Sequence, residues 1–359
     1  MFVAWRDLKF AKGRFALMGA VIVLITLLVG LLSGLTAGLG QQNISAITSL
    51  PADEIAFNSG EELSYSNSTV TEKQWRQWAK TPGVVSAESL GITTTKATAG
   101  TKSAGVAAFG VHRGSAIAPD SDKLDDQTAV LSTTAADDLG LAAGDTFTIA
   151  GQEVTVAAVS GDASFSHTPV IWISLGTWQK TAPPTGKAGE QTATVIALIT
   201  TPGADLKAAD RAAGTKTVSL DDSLPAIGSY SSENGSLQLM RGFLFAISAL
   251  VIGAFFTVWT IQRSGDVAVL KALGASTANL LKDALGQAVV LLAGGTLVGT
   301  GIAAGLGALV AGSAVPFLLT PTTVLVPAAV IIALGALGAA LSIRRITSAD
   351  PLTALGSTR

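Results

Sequence analysis

Residues 242–276 read GFLFAISALVIGAFFTVWTIQRSGDVAVLKALGAS. Residues 242–262 carry no charge, and a span of hydrocarbon needs roughly 20 apolar residues. Residues 263–276 are charged and helix-forming but too short to cross anything. The stretch reads as a membrane span that ends in a small surface helix. Two further charge-free runs, 15–52 and 284–343, flank it in the chain. The second of these is long enough for two spans and is divided by the Pro-rich VPFLLTPTTVLVP at 315–327. Four spans are therefore expected. The chain of 359 residues is 48% hydrophobic and only 13% charged, against about a quarter charged in soluble domains.

The organisation that follows is a basic segment at 1–14, a first span at 15–40 and a large polar region at 41–240. A second span at 241–262, a short segment at 263–283 and spans at 284–312 and 323–343 come next, before a tail at 344–359. Basic residues in short loops mark the cytoplasmic side. Arg6, Lys9, Lys12 and Arg14 precede the first span, Arg263, Lys271 and Lys282 follow the second, and Arg344, Arg345 and Arg359 follow the fourth. Both termini and segment 263–283 are thus expected in the cytoplasm of a multi-pass cell-membrane protein, with 41–240 outside. A basic start and an apolar run also describe a signal peptide. The length of this run and the lack of a small-residue cleavage site favour a retained span.

Region 41–240 is long enough for its own core. It holds 21 acidic and 12 basic residues, which does not suit a nucleic-acid binder. The chain has no cysteine, so neither disulfides nor thiolate metal sites are available. A mixed α/β module is expected. TEKQWRQWAK (71–80) reads as a helix capped by Thr71, stopped by Pro82-Gly83, and 84–95 as a strand. Residues 128–140 read as strand then helix, 145–162 as a hairpin turning at Ala150-Gly151, 168–180 and 192–201 as strands, and 207–215 as a helix. In the spans, Gly30, Gly34 and Gly38, and the pairs Gly295/Gly299 and Gly301/Gly305, offer faces for close helix packing.

Catalytic signatures are missing. There is no phosphate-cradling GxxxxGK[ST], GxSxG or HExxH; the fragment PTGKAG (184–189) lacks both the leading glycine and the Ser/Thr. The two histidines, His112 and His167, lie far apart in sequence. No enzyme is expected in this chain, and any energy source must come from a partner. In 263–276, Ser264 can cap a helix, Asp266 sits where the dipole favours an anion, and Gly274 suits a left-handed C-terminal cap. Such a helix is about 14 Å long and can form a knob for another protein.

RSGDVAVLKALGAS resembles the R-x-x-E-I-A-x-L-R-A-L-G-A segment of the MacB/FtsX-like ABC transporter permeases, with Asp266 and Lys271 in place of Glu and Arg. LGLAAGDTFTIAGQEVTVAAVSGD (139–162) is similar to the external-domain pattern of that family, and RRITSADPLTALG (344–356) to its tail. The resemblance covers the whole chain and implies a four-helix membrane protein with a large α/β extracytoplasmic domain inserted between helices 1 and 2. It implies that Gly265, Asp266, Val267, Leu270, Lys271, Leu273 and Gly274 dock on a separate ABC ATPase subunit, itself a dimer, which holds ATP and Mg. It also implies a permease homodimer without an intrinsic cofactor.

WRDLKFAKGRFALMG (5–19) and the lack of a fused ATPase look most like the haem-efflux permeases of Gram-positive bacteria. That narrower resemblance implies haem as substrate, taken from membrane lipid and released outside by ATP-driven motion, with no metal beyond the haem iron. Iron accepts Tyr, Met, His or carboxylate ligands. The candidates at the outer ends of spans one and two are Tyr230, Glu233, Met240 and Glu54, with Leu31, Leu35, Phe243 and Phe245 as an apolar slot and Arg241 for a propionate. The same fold would serve a mechanotransmitter that activates a cell-wall hydrolase, or an exporter of peptide or lipoprotein. A receptor module without an ATPase is a third reading, and the coupling-like stretch argues against it.

Overall fold

The computed structural model describes residues 12–60, 62–182, 190–262, 276–310 and 315–347, together with 265, 269 and 274. It divides into two compact units, Leu39–Gly235 and a second made of Met1–Gly38 with Ser236–Arg359.

Helix α1 runs Lys12–Thr48, beyond the limit expected at residue 40. Its last turns continue because they are needed by the core of the first unit, where Ala46 and Ile47 are fully buried. Then follow β1 (Glu54–Asn58), β2 (Val70–Thr71) and α2 (Glu72–Trp78). The Thr71 amide donates to Gln74 Oε1 at 2.8 Å, so the helix starts at the expected cap, and Trp75 and Trp78 share its buried face. Strand β3 (Val84–Ala99) is longer than the expected 84–95, and β4 is Lys102–Val111. β5 (Thr128–Leu131) leads into α3 (Thr133–Leu139), as expected. β6 (Thr146–Ile149) and β7 (Gln152–Val159) form the expected hairpin. Its turn places Ala150 and Gly151 at φ 46° and 82°, the mirror-type geometry that suits strand twist.

β8 (Ser164–Phe165) and β9 (Thr168–Ser174) come next, followed by α4 (Leu175–Thr181). The single strand expected at 168–180 is corrected here: Ser174 accepts from the Thr177 amide at 3.0 Å and begins a helix. β10 (Thr192–Ala193), β11 (Val195–Thr200), α5 (Leu206–Ala213) and β12 (Thr215–Ser219) complete the unit's described strands and short α-helices.

The strands pair in the order β12-β1-β11-β3-β4-β9-β5-β7-β6. β6 also returns to β3 at Ala97–Ile149 and Thr98–Thr148, so six strands close into a ring. β3 belongs to both parts: Val84–Leu90 pairs with β11 and Gly91–Ala99 with β4. Both faces are covered, which is why strands such as VIWIS and VIALI are apolar without alternation. Successive residues divide between two cores. Ile171 and Ile173 join Trp75, Trp78 and Trp178 on one side, whereas Val170 and Trp172 join Ile47, Phe57 and Phe109 on the other. The indole of Trp178 lies on Gly91 and Gly110, which are paired across β3 and β4; a β-carbon at either would overlap it.

The second unit contains the membrane-spanning parts of α1, α6 (Tyr230–Gln262), α7 (Thr277–Val310) and α8 (Pro321–Thr347). These four helices are long and apolar enough to cross a membrane. α6 begins well before the expected residue 241, because hydropathy marks where lipid contact begins and not where the helix does. The bundle core gathers Ile22, Val29, Ile252, Phe256, Trp259, Leu292 and Ile331. The glycine stripes differ in use. A β-carbon at Gly30 would sit 2.9 Å from Ala303 Cβ, and one at Gly299 would crowd Thr26 and Val23. Gly34 and Gly38 receive Phe317 and Pro316, and the Leu318 amide donates to the Gly34 carbonyl at 3.0 Å. Nothing described lies near Gly301 or Gly305.

Candidate functional site

The two-residue loop between β8 and β9 consists of Ser166 and His167, at φ 49° and 62°. Loops of this kind favour Asn-Gly, because both residues enter the left-handed region. Left-handed backbone costs an ordinary L-residue about 1–2 kcal/mol, and such strain persists only where the surroundings impose it. The surroundings here are explicit. Phe165 is buried, with Tyr65 and Phe109 rings edge-on at 5.7 and 5.6 Å. The Ser164 amide donates to Ser45 Oγ at 2.8 Å. The Ser166 and His167 amides donate to the carbonyls of Asn43 and Gln42 at 2.9 and 3.1 Å. The turn is thus fastened to the last turns of α1.

The geometry aims His167 at the first turn of α6. His167 Nε2 lies 2.6 Å from Glu233 Oε2. The same oxygen accepts from Asn43 Nδ2 at 2.8 Å, and that amide also reaches Ser229 Oγ at 3.3 Å. Asn43 is only 2% exposed, and its Oδ1 has no partner among the described residues. An unpaired buried acceptor costs about 1–3 kcal/mol. Glu233 stands in the first helical turn, where the dipole favours a carboxylate. The result is an imidazole and a carboxylate, both partly open to solvent, held against a buried amide. Both donor types suit iron.

Of the residues expected at the site, Tyr230 opens α6 one turn before Glu233 and is half-buried against the core of Leu224 and Ile227. Glu54 lies at the head of β1, opposite Leu198 and Ser219. Burial, followed by the charges of Asp53, Asp222 and Asp210, pushes its carboxyl above the usual range. In the other unit, Leu31 and Leu35 are half-buried. Met240 and Phe243 face outward from α6, while Phe245 packs on the bundle core. Arg241 Nη2 reaches Thr36 Oγ1 at 3.4 Å and has no carboxylate in ion-pair range among the described residues.

His167 was not among the expected ligands. The signal that could have found it is a Ser-His dipeptide in a two-residue loop between SF and TPVIWIS, where a glycine belongs. The other histidine, His112, meets the Trp75 ring instead. In the expected coupling segment, Gly265 and Val269 are helical and exposed, and Gly274 has φ 91°, the left-handed backbone expected of it. Asp266, Val267, Leu270, Lys271 and Leu273 lie outside the described residues. Among the described residues no cluster of three or more metal-binding side chains occurs.

Comparison with known proteins adds three findings. Residues 15–216 match the family described as MacB-like periplasmic core domain, and residues 239–351 match the FtsX-like permease C-terminal family. Over 359 residues the chain is 26% identical to a Staphylococcus haemolyticus (strain JCSC1435) protein provisionally named hemin transport system permease protein HrtB, covering 99% of each. An uncharacterised ABC transporter permease of Mycobacterium tuberculosis (strain ATCC 25618 / H37Rv) is 24% identical over 375 residues, again covering 99% of each. Among solved structures, the extracellular domain of the noncanonic ABC-type transporter YknZ from Gram-positive bacteria is similar at a TM-score of 0.35 and 14% identity. That likeness covers 47% of this chain and 98% of the other.

Proposed function

The chain belongs to the MacB/FtsX-like family of ABC transporter permeases, and from that premise we propose that it is the permease subunit of a pump that exports haem from the membrane. It is a multi-pass membrane protein whose α/β domain is extracytoplasmic. In this reading both termini and residues 263–283 are cytoplasmic. Leu270 and Leu273 seat on a separate ATPase that binds ATP and Mg, and two permease copies work together. ATP-driven closure of the ATPases moves the coupling segments, and α1 and α6 carry that motion outward.

The observation that carries the reading is the His167–Glu233 pair at 2.6 Å. Haem is an apolar disc that partitions into lipid by itself and carries an iron seeking nitrogen or oxygen ligands. An exposed imidazole beside a carboxylate, held on a strained turn, offers both. Full-length likeness to relatives named for hemin transport supports the same substrate.

Titration of the purified permease with hemin, followed by absorption, tests this. A perturbed haem spectrum is expected for the wild type, with affinity reduced in His167→Ala and intact in His112→Ala. A wild-type spectrum identical to that of free hemin in the same detergent would reject haem as the substrate and leave the family assignment standing.

A further inference from the structure

We infer that Glu233 has a second task, as the catch of a substrate-released latch between the last turns of α1 and the first turn of α6. The inference rests on the haem reading and adds its regulation. Four contacts close the latch within the extracytoplasmic unit: Asn43 to Glu233 at 2.8 Å, Asn43 to Ser229 at 3.3 Å, His167 to Glu233 at 2.6 Å, and the His167 amide to the Gln42 carbonyl at 3.1 Å. Two of them converge on one atom, Glu233 Oε2. An iron that takes His167 Nε2 must displace that oxygen, because the nitrogen has one in-plane position, filled either by the proton shared with Glu233 or by the metal; on binding, that proton leaves for Nδ1 or for solvent. Substrate and closed latch therefore compete for the same atoms.

The closed arrangement is also poised to open. The Oδ1 of Asn43 is buried without a described partner, and Ser166 and His167 both hold left-handed backbone. Release of Glu233 frees the Asn43 amide to turn, so opening relieves the buried unpartnered oxygen that closure imposes. Both tied segments belong to helices that continue as membrane spans, α1 and α6. Loading the site would thereby free the two helices that carry the stroke, and idle hydrolysis is held down while the site is empty. By linkage the effect is reciprocal: whatever opens the latch tightens substrate binding by the same factor.

The chain has no native cysteine, which permits a clean trap. In the permease–ATPase complex reconstituted in liposomes, Asn43→Cys with Ser229→Cys joins α1 to the residue that precedes α6 and leaves His167 and Glu233 in place. Oxidised, this variant is expected to bind hemin more weakly than when reduced and, even at saturating hemin, to lose hemin-stimulated hydrolysis, which returns on reduction. Asn43→Ala, which needs no crosslink, is expected to raise hydrolysis without hemin by about fivefold or more, the lower end of ordinary coupling, and to tighten hemin binding. Equal stimulation in the oxidised and reduced trap, or Asn43→Ala with wild-type basal hydrolysis and affinity, would overturn the latch while haem binding stands. A wild-type complex blind to hemin would remove the haem reading itself, and the latch with it.

Discussion

His167 Nε2 and Glu233 Oε2 meet at 2.6 Å across 66 residues of sequence, one on a β-turn and the other in the first turn of a membrane helix. Neither residue type is unusual at a surface. Their placement is, because the turn that presents the imidazole pays with left-handed backbone at two ordinary residues. His167→Asn separates backbone from chemistry, since Asn tolerates this conformation better than other side chains. Thermal stability is expected to stay within about 0.5 kcal/mol, while hemin affinity falls by at least about tenfold. Unchanged affinity would show that the strain serves the fold alone.

The glycine platform under Trp178 makes a sharper demand on the fold. Gly110→Ala forces a β-carbon into the indole, and overpacking of this kind costs about 1–3 kcal/mol. Gly105→Ala, on the same strand with only ordinary contact to Thr168 at 3.9 Å, is expected to be near neutral. Melting of the two variants side by side checks the contrast.

Within the bundle, Gly34→Ala and Gly38→Ala meet Phe317 and the Pro316 backbone, whereas Gly301→Ala and Gly305→Ala meet nothing described. The first pair is expected to lower the melting temperature in detergent and the second pair to leave it unchanged. Equal loss from all four would mean that the stripes are not distinguished by the contacts seen here.

Glu54 supplies a pH test. Its carboxyl is held above the usual range, chiefly by burial and then by Asp53, Asp222 and Asp210. The folded state therefore binds this proton more readily than the unfolded chain. Its contribution to stability grows as pH falls from above the raised value toward the unfolded one, and is constant above both. Glu54→Gln is accordingly expected to raise the melting temperature at neutral pH and to shrink the gain on mild acidification. A lower melting temperature at pH 7 would contradict the assignment.

Much of this architecture was legible in the sequence. Charge-free runs announced four spans, Thr71 announced its helix, and Ala150-Gly151 announced a hairpin turn. What escaped has physical causes. Helices α1 and α6 overrun the apolar runs because helical backbone continues where side chains stop needing lipid. Ser174 ends a strand and caps a helix at once, so 168–180 read as a single element. Of the expected ligands, Glu233 and Tyr230 stand one turn apart, while Glu54 keeps acidic company of its own. His167 could not be paired with Glu233 from spacing, since only the fold brings the turn to the helix.

In the proposed pump, substrate outside controls fuel consumption inside. The direct measurement is ATP hydrolysis by the reconstituted permease–ATPase complex with and without hemin, with Leu270→Asp plus Leu273→Asp as the uncoupled control. Hemin is expected to accelerate hydrolysis in the wild type and to have no effect in the control. Hydrolysis that proceeds at the same rate with and without hemin in a complex otherwise shown to be coupled would contradict it.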